Sequence, residues 1–561
     1  MVARRTVQRL AAALSASAAT IALAPAAQAA PDACAALKKL AIPHVRILVA
    51  TPVDGSFTED MVVERAPRTY TGLKPFCRVR GVSRPVRGSE IGFEIWLPAK
   101  RDWSGRLHMI GNGAYVSNMQ YKQMIPRLDD GDVAVGTDTG HSGTDLKFGW
   151  RNPEKIKDFG YRAVHESVVA AKAITRAYYS RAARWSYFSG CSTGGYQGLA
   201  SAQRYPHDFD GIIAGAPGNN RTSLTMSFLW NYLANHRPGD DRHPILSVGD
   251  LLLINRAAVA ACDKLDGVED GVIADPRQCG FKPAQLLCRP GASAGSCLTP
   301  EQVAAADKIY AGPRDARTGK AIYPGYPVGT EGVMSGPGDK HPGWSGYWSE
   351  SDNPAEPSRA DMFKYWVFDN PDWNWWSFNW GSDVDTMRAR LGPIFDANDP
   401  NLSPFARAGG KLIMFMGWQD PVGTPLEAIN YYRAVEARAG GLAATQAFAR
   451  LFMVPGMDHC AGGPGATNFS TATRDSTPPV RDPEHDMTLA LYAWVEKARA
   501  PQSLIATRYA AGSDDTPTAK RAIAFQRPIC AWPKAPLYRG GDSKLASSFV
   551  CAVPSAASRA P

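Results

Sequence analysis

Beyond its first thirty residues the sequence has no uncharged apolar run near the roughly 20 residues that a membrane-spanning helix needs, so no later segment reads as a membrane anchor. It has no internal repeat and no long low-complexity tract, which excludes solenoids, collagen-like chains and coiled coils. Charge is sparse: 20% of residues are Asp, Glu, Lys or Arg, against 44% hydrophobic, a balance that excludes a disordered chain and leaves ample material for a core. The formal charge of +9 is spread along the chain and implies no nucleic-acid partner. What is abundant is glycine (52), proline (43) and tryptophan (15), a composition of ordered loops and turns rather than of a helical bundle.

At 561 residues the chain exceeds one ordinary core and suits a large catalytic domain with an insertion. Its start reads as a secretory signal: Arg4, Arg5 and Arg9 precede the apolar run Leu10 to Leu23, and Ala27-Gln28-Ala29 offers a cleavage site after residue 29. The Arg4-Arg5 pair lacks the apolar pair that follows in twin-arginine signals, so the export route stays open. Removing 1–29 lowers the formal charge from +9 to +6. All 10 cysteines follow it: Cys34, Cys77, Cys191, Cys262, Cys279, Cys288, Cys297, Cys460, Cys530 and Cys551. An even number in an exported chain reads as disulfides. The expected product is soluble and secreted or periplasmic. The small-residue tail 554–561 is expected to fray.

Short apolar runs broken by Gly and Pro predict strands at Phe93–Leu97, Leu107–Ile110 and Asp132–Val135. Helical spacing of Val164, Val168, Ala171, Ile174 and Tyr178 predicts a helix over Tyr161–Ser180. A strand at Trp185–Phe188, a helix at Gly195–Arg204 and a strand at Gly211–Gly215 continue the alternation, which predicts an α/β fold with a parallel sheet. The pattern stops near Asn219 and resumes with strands at Lys411–Met416 and Leu451–Val454. The predicted organisation is therefore a core from 30–218 and 401–561 with an insertion at 219–400.

Gly190-Cys191-Ser192-Thr193-Gly194 fits G-x-S-x-G, whose glycines allow the sharp strand-to-helix turn that exposes a serine hydroxyl. A nucleophilic Ser192 needs a base and an orienting acid, in the chain order Ser, Asp, His. Asp420 follows one predicted strand and His459 another. Asp458 competes as the acid, but its side chain should point away from its neighbour, which favours Asp420. His108 and His141 are weaker candidates for the base, and His165 lies inside a helix. Cys191 precedes Ser192 and Cys460 follows His459, so a bridge between them would hold nucleophile and base loops together.

The motifs Gly-Cys-Ser-Thr-Gly-Gly (190–195), Gly-Trp-Gln-Asp-Pro (417–421) and Pro-Gly-Met-Asp-His-Cys (455–460) together resemble the tannase and feruloyl esterase family, which includes mono(2-hydroxyethyl) terephthalate hydrolase-like enzymes. The resemblance implies an α/β-hydrolase core with 219–400 as a large lid, and the further pairs Cys34–Cys77, Cys262–Cys279, Cys288–Cys297 and Cys530–Cys551. Thr193 N–H is an oxyanion donor by position, and Gly111-Asn112-Gly113 looks like the family's second donor loop, with Gly113 chosen. The acidic stretch Asp263 to Val272 lacks the twelfth-position Glu of an EF-hand. It is similar to the family's lid calcium site, which implies carboxylates from Asp263, Asp266 and Asp270 and carbonyls from Val268 and Val272 around a structural Ca2+.

Seven tryptophans crowd Trp344 to Trp380: Trp344, Trp348, Trp366, Trp373, Trp375, Trp376 and Trp380. Most should be lid core, with a few free to stack on an aromatic substrate. The expectation is a serine carboxylesterase for small aromatic acid esters of feruloyl, galloyl or terephthaloyl type, with no organic cofactor and no obligate protein partner. The alternatives are an esterase for aliphatic esters or a noncatalytic binding protein on the same scaffold. A carboxylate-bearing substrate would call for a lid cation, with Lys340, Arg359 and Lys364 as candidates.

Overall fold

The computed structural model describes residues 33–62, 65–293, 295–336, 338–350, 353–471, 476–512 and 520–554. The expected signal segment 1–29 and all but the first residue of the tail 554–561 lie outside the described residues.

Nine strands form one twisted sheet in the order β1-β2-β3-β5-β4-β6-β7-β8-β9. They are β1 (Val45–Thr58), β2 (Thr69–Ser83), β3 (Ile91–Pro98), β4 (Arg106–Ile110), β5 (Val133–Thr137), β6 (Trp185–Cys191), β7 (Gly211–Gly215), β8 (Lys411–Gly417) and β9 (Ala449–Val454). From β5 through β9 neighbouring strands pair parallel, while β1, β2 and β3 join antiparallel at one edge. The parallel strands are nearly continuous apolar runs because helices cover both faces, which removes any solvent-facing side. All six residues of β9 are buried, as are six of seven in β8. This is the expected α/β arrangement, and each predicted strand lies within an observed one or overlaps it.

The helix predicted from Tyr161 divides: Asp158–Arg162 is a π-helical turn and Ala163–Tyr179 is α-helical. The long β1–β2 hairpin, tethered by Cys34–Cys77, precedes every strand that the apolar runs predict. Two antiparallel ribbons close the chain, Ser503–Tyr509 with Ile523–Cys530 and Ala535–Tyr538 with Phe549–Ala552, and Cys530–Cys551 joins them.

The segment between β7 and β8 packs in two ways. Leu246, Leu251, Ile254, Leu298, Ile309 and Trp344 belong to a second core made from residues 234–348. Phe363, Trp366, Phe395 and Phe405 instead pack into the main core with the sheet. A capping box at Ser247 and Asp250 starts the helix Val248–Cys262, which delivers the chain to the acidic stretch.

Candidate active site

Strand β6 ends at Cys191 and the helix Thr193–Arg204 begins two residues later, so Ser192 makes the whole turn, with φ 61° and ψ −121°. A non-glycine residue in that region is strained and persists only where packing over-determines it. The glycines around it provide the closeness: a Cβ on Gly195 would stand 2.1 Å from the Gly215 carbonyl oxygen, and one on Gly111 would stand 2.7 Å from the Cα of Gly194. Six of the thirteen non-glycine residues with positive φ among those described line one cavity: Ala114, Gln120, Ser192, Ala216, Arg359 and Cys460. Strain is concentrated where the serine opens.

That cavity has a volume of about 440 Å³, and both Ser192 and His459 line it. Asp420, fully buried on the loop after β8, accepts a hydrogen bond at Oδ2 from His459 Nδ1 at 2.7 Å. Its Oδ1 accepts the amide hydrogens of Val422 (2.8 Å) and Gly423 (3.1 Å), which fixes the carboxylate and leaves one oxygen for the imidazole. An Nδ1–H donated to Asp420 leaves Nε2 as a proton acceptor. Cys191 and Cys460 are bridged, with Cα atoms 5.9 Å apart across 269 residues of sequence. The four pairs Cys34–Cys77, Cys262–Cys279, Cys288–Cys297 and Cys530–Cys551 are formed as well.

The competing residues are engaged elsewhere. Asp458 is buried, which pushes its carboxyl up, and it accepts the hydroxyl hydrogen of Ser335. His108 is wholly buried in β4, its nitrogens 2.6 Å from Tyr492 Oη and 2.7 Å from Ser189 Oγ, and burial drives its pKa well below the usual range. His141 is held by the Tyr115 carbonyl (2.8 Å) and stacks on Phe148, and burial lowers it too.

The amides of Thr193 and Gly113 donate to no acceptor among the described residues, whereas the Asn112 amide is taken by Gln197 Oε1 at 3.0 Å. Gly113 lines the cavity, with nothing within 4 Å of a Cβ built there. The Ala114 amide is also without an acceptor, so geometry leaves Gly113 and Ala114 equivalent in this respect.

None of the seven tryptophans between Trp344 and Trp380 lines the cavity, which corrects the expectation that a few would face a substrate. Trp344, Trp348, Trp366 and Trp373 are buried, and Trp375 and Trp376 both donate to Asp241. The aromatic lining comes instead from Tyr70, Tyr115, Tyr121, Phe228 and Tyr347. Of the three candidate lid cations, Arg359 lines the cavity, with its guanidinium 5.0 Å from the Tyr115 ring centroid. Lys364 pairs with Glu356, and Lys340 is exposed and lies outside the lining. Arg65, Arg68 and Arg221 also line the cavity, and Arg221 stands 5.0 Å from Tyr115; no motif marks it in the sequence.

In the acidic stretch, Asp263 accepts amide hydrogens from Asp270, Gly271 and Val272, and Asp266 accepts that of Val268. Asp270 is held by Arg527 Nη2 at 2.6 Å. Burial, helped by the charges of Asp270 and Asp263, pushes the Asp266 carboxyl up to about 6. The donors are hard oxygens of the kind calcium takes. As placed, they are shared with backbone amides and Arg527, and no cluster of three or more His, Cys, Asp or Glu side chains among the described residues has metal-holding geometry.

The model of a family described as "Tannase and feruloyl esterase" matches residues 77–552. An uncharacterized esterase of Xanthomonas campestris pv. campestris is 36% identical over 92% of this chain and 91% of its own length. A probable feruloyl esterase B-2 of Aspergillus terreus is 30% identical over 92% and 94%. The crystal structure of feruloyl esterase B from Aspergillus oryzae superposes with a TM-score of 0.82 at 27% identity, covering 93% of this chain and 99% of that one.

Proposed function

The chain belongs to the tannase and feruloyl esterase family and is a carboxylic ester hydrolase for aromatic acid esters, and from that premise we propose that Ser192 is its nucleophile, His459 its general base and Asp420 the acid that orients the base. The observation that carries this reading is the His459–Asp420 hydrogen bond on the cavity into which the strained Ser192 opens. His459 Nε2 takes the Ser192 proton as Oγ bonds to the ester carbonyl carbon. Charge on the carbonyl oxygen falls to the amides of Thr193 and Gly113, at the positive end of the helix Thr193–Arg204. Collapse breaks the ester C–O bond, and the imidazolium returns its proton to the departing alkoxide. Water, deprotonated by the same nitrogen, then attacks the acyl carbon, and Ser192 leaves with that proton. The Cys191–Cys460 bridge holds the two loops in register for both halves of the reaction.

The substrates of this reading are esters of small aromatic acids of feruloyl, galloyl or terephthaloyl type, with the ring against Tyr115, Tyr347 or Phe228. Arg359 would favour an acyl group that carries its own carboxylate. A comparison of kcat/KM on methyl ferulate, methyl gallate, mono(2-hydroxyethyl) terephthalate and a long-chain nitrophenyl ester tests the assignment. Highest turnover on the long-chain ester would contradict it.

Export and a structural calcium belong to the same reading. Ten paired cysteines suit an oxidising compartment, and no described helix is long and apolar enough to cross a membrane. Calcium would be held by Asp263, Asp266 and Asp270 with the carbonyls of Val268 and Val272, where it would neutralise a loop now balanced by Arg527. It has no part in bond breaking.

A further inference from the structure

We propose that Arg221 is a positioning residue for the oxyanion site: by donating to Thr193 Oγ1 it directs the Thr193 hydroxyl proton onto the Ala114 carbonyl, locking together the two backbone segments whose amides receive the oxyanion. The inference rests on the serine-esterase reading above. Arg221 opens the helix Arg221–Ala234 and is 6% exposed. Its Nη2 lies 3.0 Å from Thr193 Oγ1, and its guanidinium stands 5.0 Å and 5.7 Å from the ring centroids of Tyr115 and Tyr196. It pairs with no carboxylate among the described residues. Away from the cavity, Arg78 is held by Glu94 and Asp60, Arg106 by Glu496, and Arg162 by Glu154 and Asp158; Arg450, 4% exposed, also lacks a carboxylate among the described residues but donates to the backbone carbonyls of Gln446 and Ala449 beside it.

A buried cation without a counter-ion is unfavourable and calls for a role other than ion pairing. Its one side-chain hydrogen bond among the described residues indicates that role. A guanidinium can only donate, so Thr193 Oγ1 accepts from it and must send its own proton elsewhere. The recipient is Ala114 O, 2.7 Å away. Thr193 follows β6 and Ala114 follows β4, 79 residues apart in sequence. This is therefore a cross-brace between the two donor segments, anchored at a strained residue, since Ala114 has φ 41°. Strained backbone relaxes when its constraints are removed, and an error of about 1 Å at a reacting centre can lower a rate about a hundredfold.

The test is kinetic. Arg221→Met, which keeps length and loses the donor, is expected to lower kcat on an aromatic ester about thirtyfold with KM within about threefold. Thr193→Val should produce a loss of similar size, and the double variant should be no slower than the slower single one, as for two parts of one brace. Affinity for an arylboronic acid, which forms a tetrahedral adduct on the serine, should fall in step with kcat/KM, and Arg221→Lys should recover part of the loss. A raised KM at unchanged kcat, additive losses, or undiminished boronate affinity would overturn the proposal. Should Arg221→Met fail to fold, Thr193→Ser against Thr193→Val decides: the serine variant must keep a kcat advantage of about tenfold. Phosphonate labelling of Ser192 in the parent protein reports separately on the esterase reading, so either can fail alone.

Discussion

The junction of nucleophile and base and the acidic loop of the insertion are built from the same parts, buried aspartates on disulfide-anchored loops, yet the two do different things. At the junction the bridge spans 269 residues and ties the ends of β6 and β9; in the loop Cys262–Cys279 spans 17 and closes the chain on itself. By chain entropy the long bridge constrains the unfolded state by only about 2 kcal/mol more. Its distinctive effect is register. The aspartates diverge in what remains after the backbone has been satisfied. Asp420 spends Oδ1 on two amides and keeps Oδ2 for His459, whereas both oxygens of Asp263 accept amides of its own loop. A carboxylate that keeps one oxygen free of backbone amides can orient a base; one whose two oxygens both accept amides of its own loop organises that loop.

The sharpest break of this comparison is between neighbouring acids. Asp420→Asn should lower kcat/KM by about a thousandfold or more, since an amide cannot hold the imidazole in the required tautomer. Asp458→Asn, which touches Ser335 rather than the imidazole, should cost less than about tenfold. Equal losses on an aromatic ester would mean that both acids serve His459. Next in size is the clamp. Replacing Cys191 and Cys460 by alanine is expected to cost about a hundredfold in kcat through misregister. Replacing Cys288 and Cys297 should lower the melting temperature and leave kcat within about twofold, because that bridge closes nine residues far along the chain from either loop. The smallest effect concerns the acidic loop: removal of calcium by a chelator should lower Tm by a few degrees without altering kcat of the folded enzyme. Elemental analysis that finds no calcium, with no shift in Tm, would assign the loop's counter-charge to Arg527 alone.

The parallel strands were legible because burial on both faces leaves unbroken apolar runs such as Leu412–Met416 and Leu451–Val454. Asp420 and His459 followed from their places just beyond those runs. The β1–β2 hairpin escaped because its strands contain Pro52, Gly55, Gly72 and Pro75 and much of their length is exposed, so neither alternation nor a continuous run marks them. Arg527 was invisible for a different reason: its strand, Ile523–Cys530, pairs at the chain's end yet reaches Asp270, 257 residues away. The tryptophan run misled because local density reports core volume and says nothing of which wall faces a cavity. Arg221 carries no motif; only its burial without a carboxylate on the wall of the cavity sets it apart.

The most direct test of the account is the site of reaction with an aryl phosphonate ester. Peptide mapping should find one adduct, on Ser192, formed fast in the parent protein and absent in Ser192→Ala, which should keep its melting transition while losing ester hydrolysis by at least about ten-thousandfold. An adduct on another residue, or a Ser192→Ala variant that still hydrolyses aromatic esters at the parental rate, would contradict it.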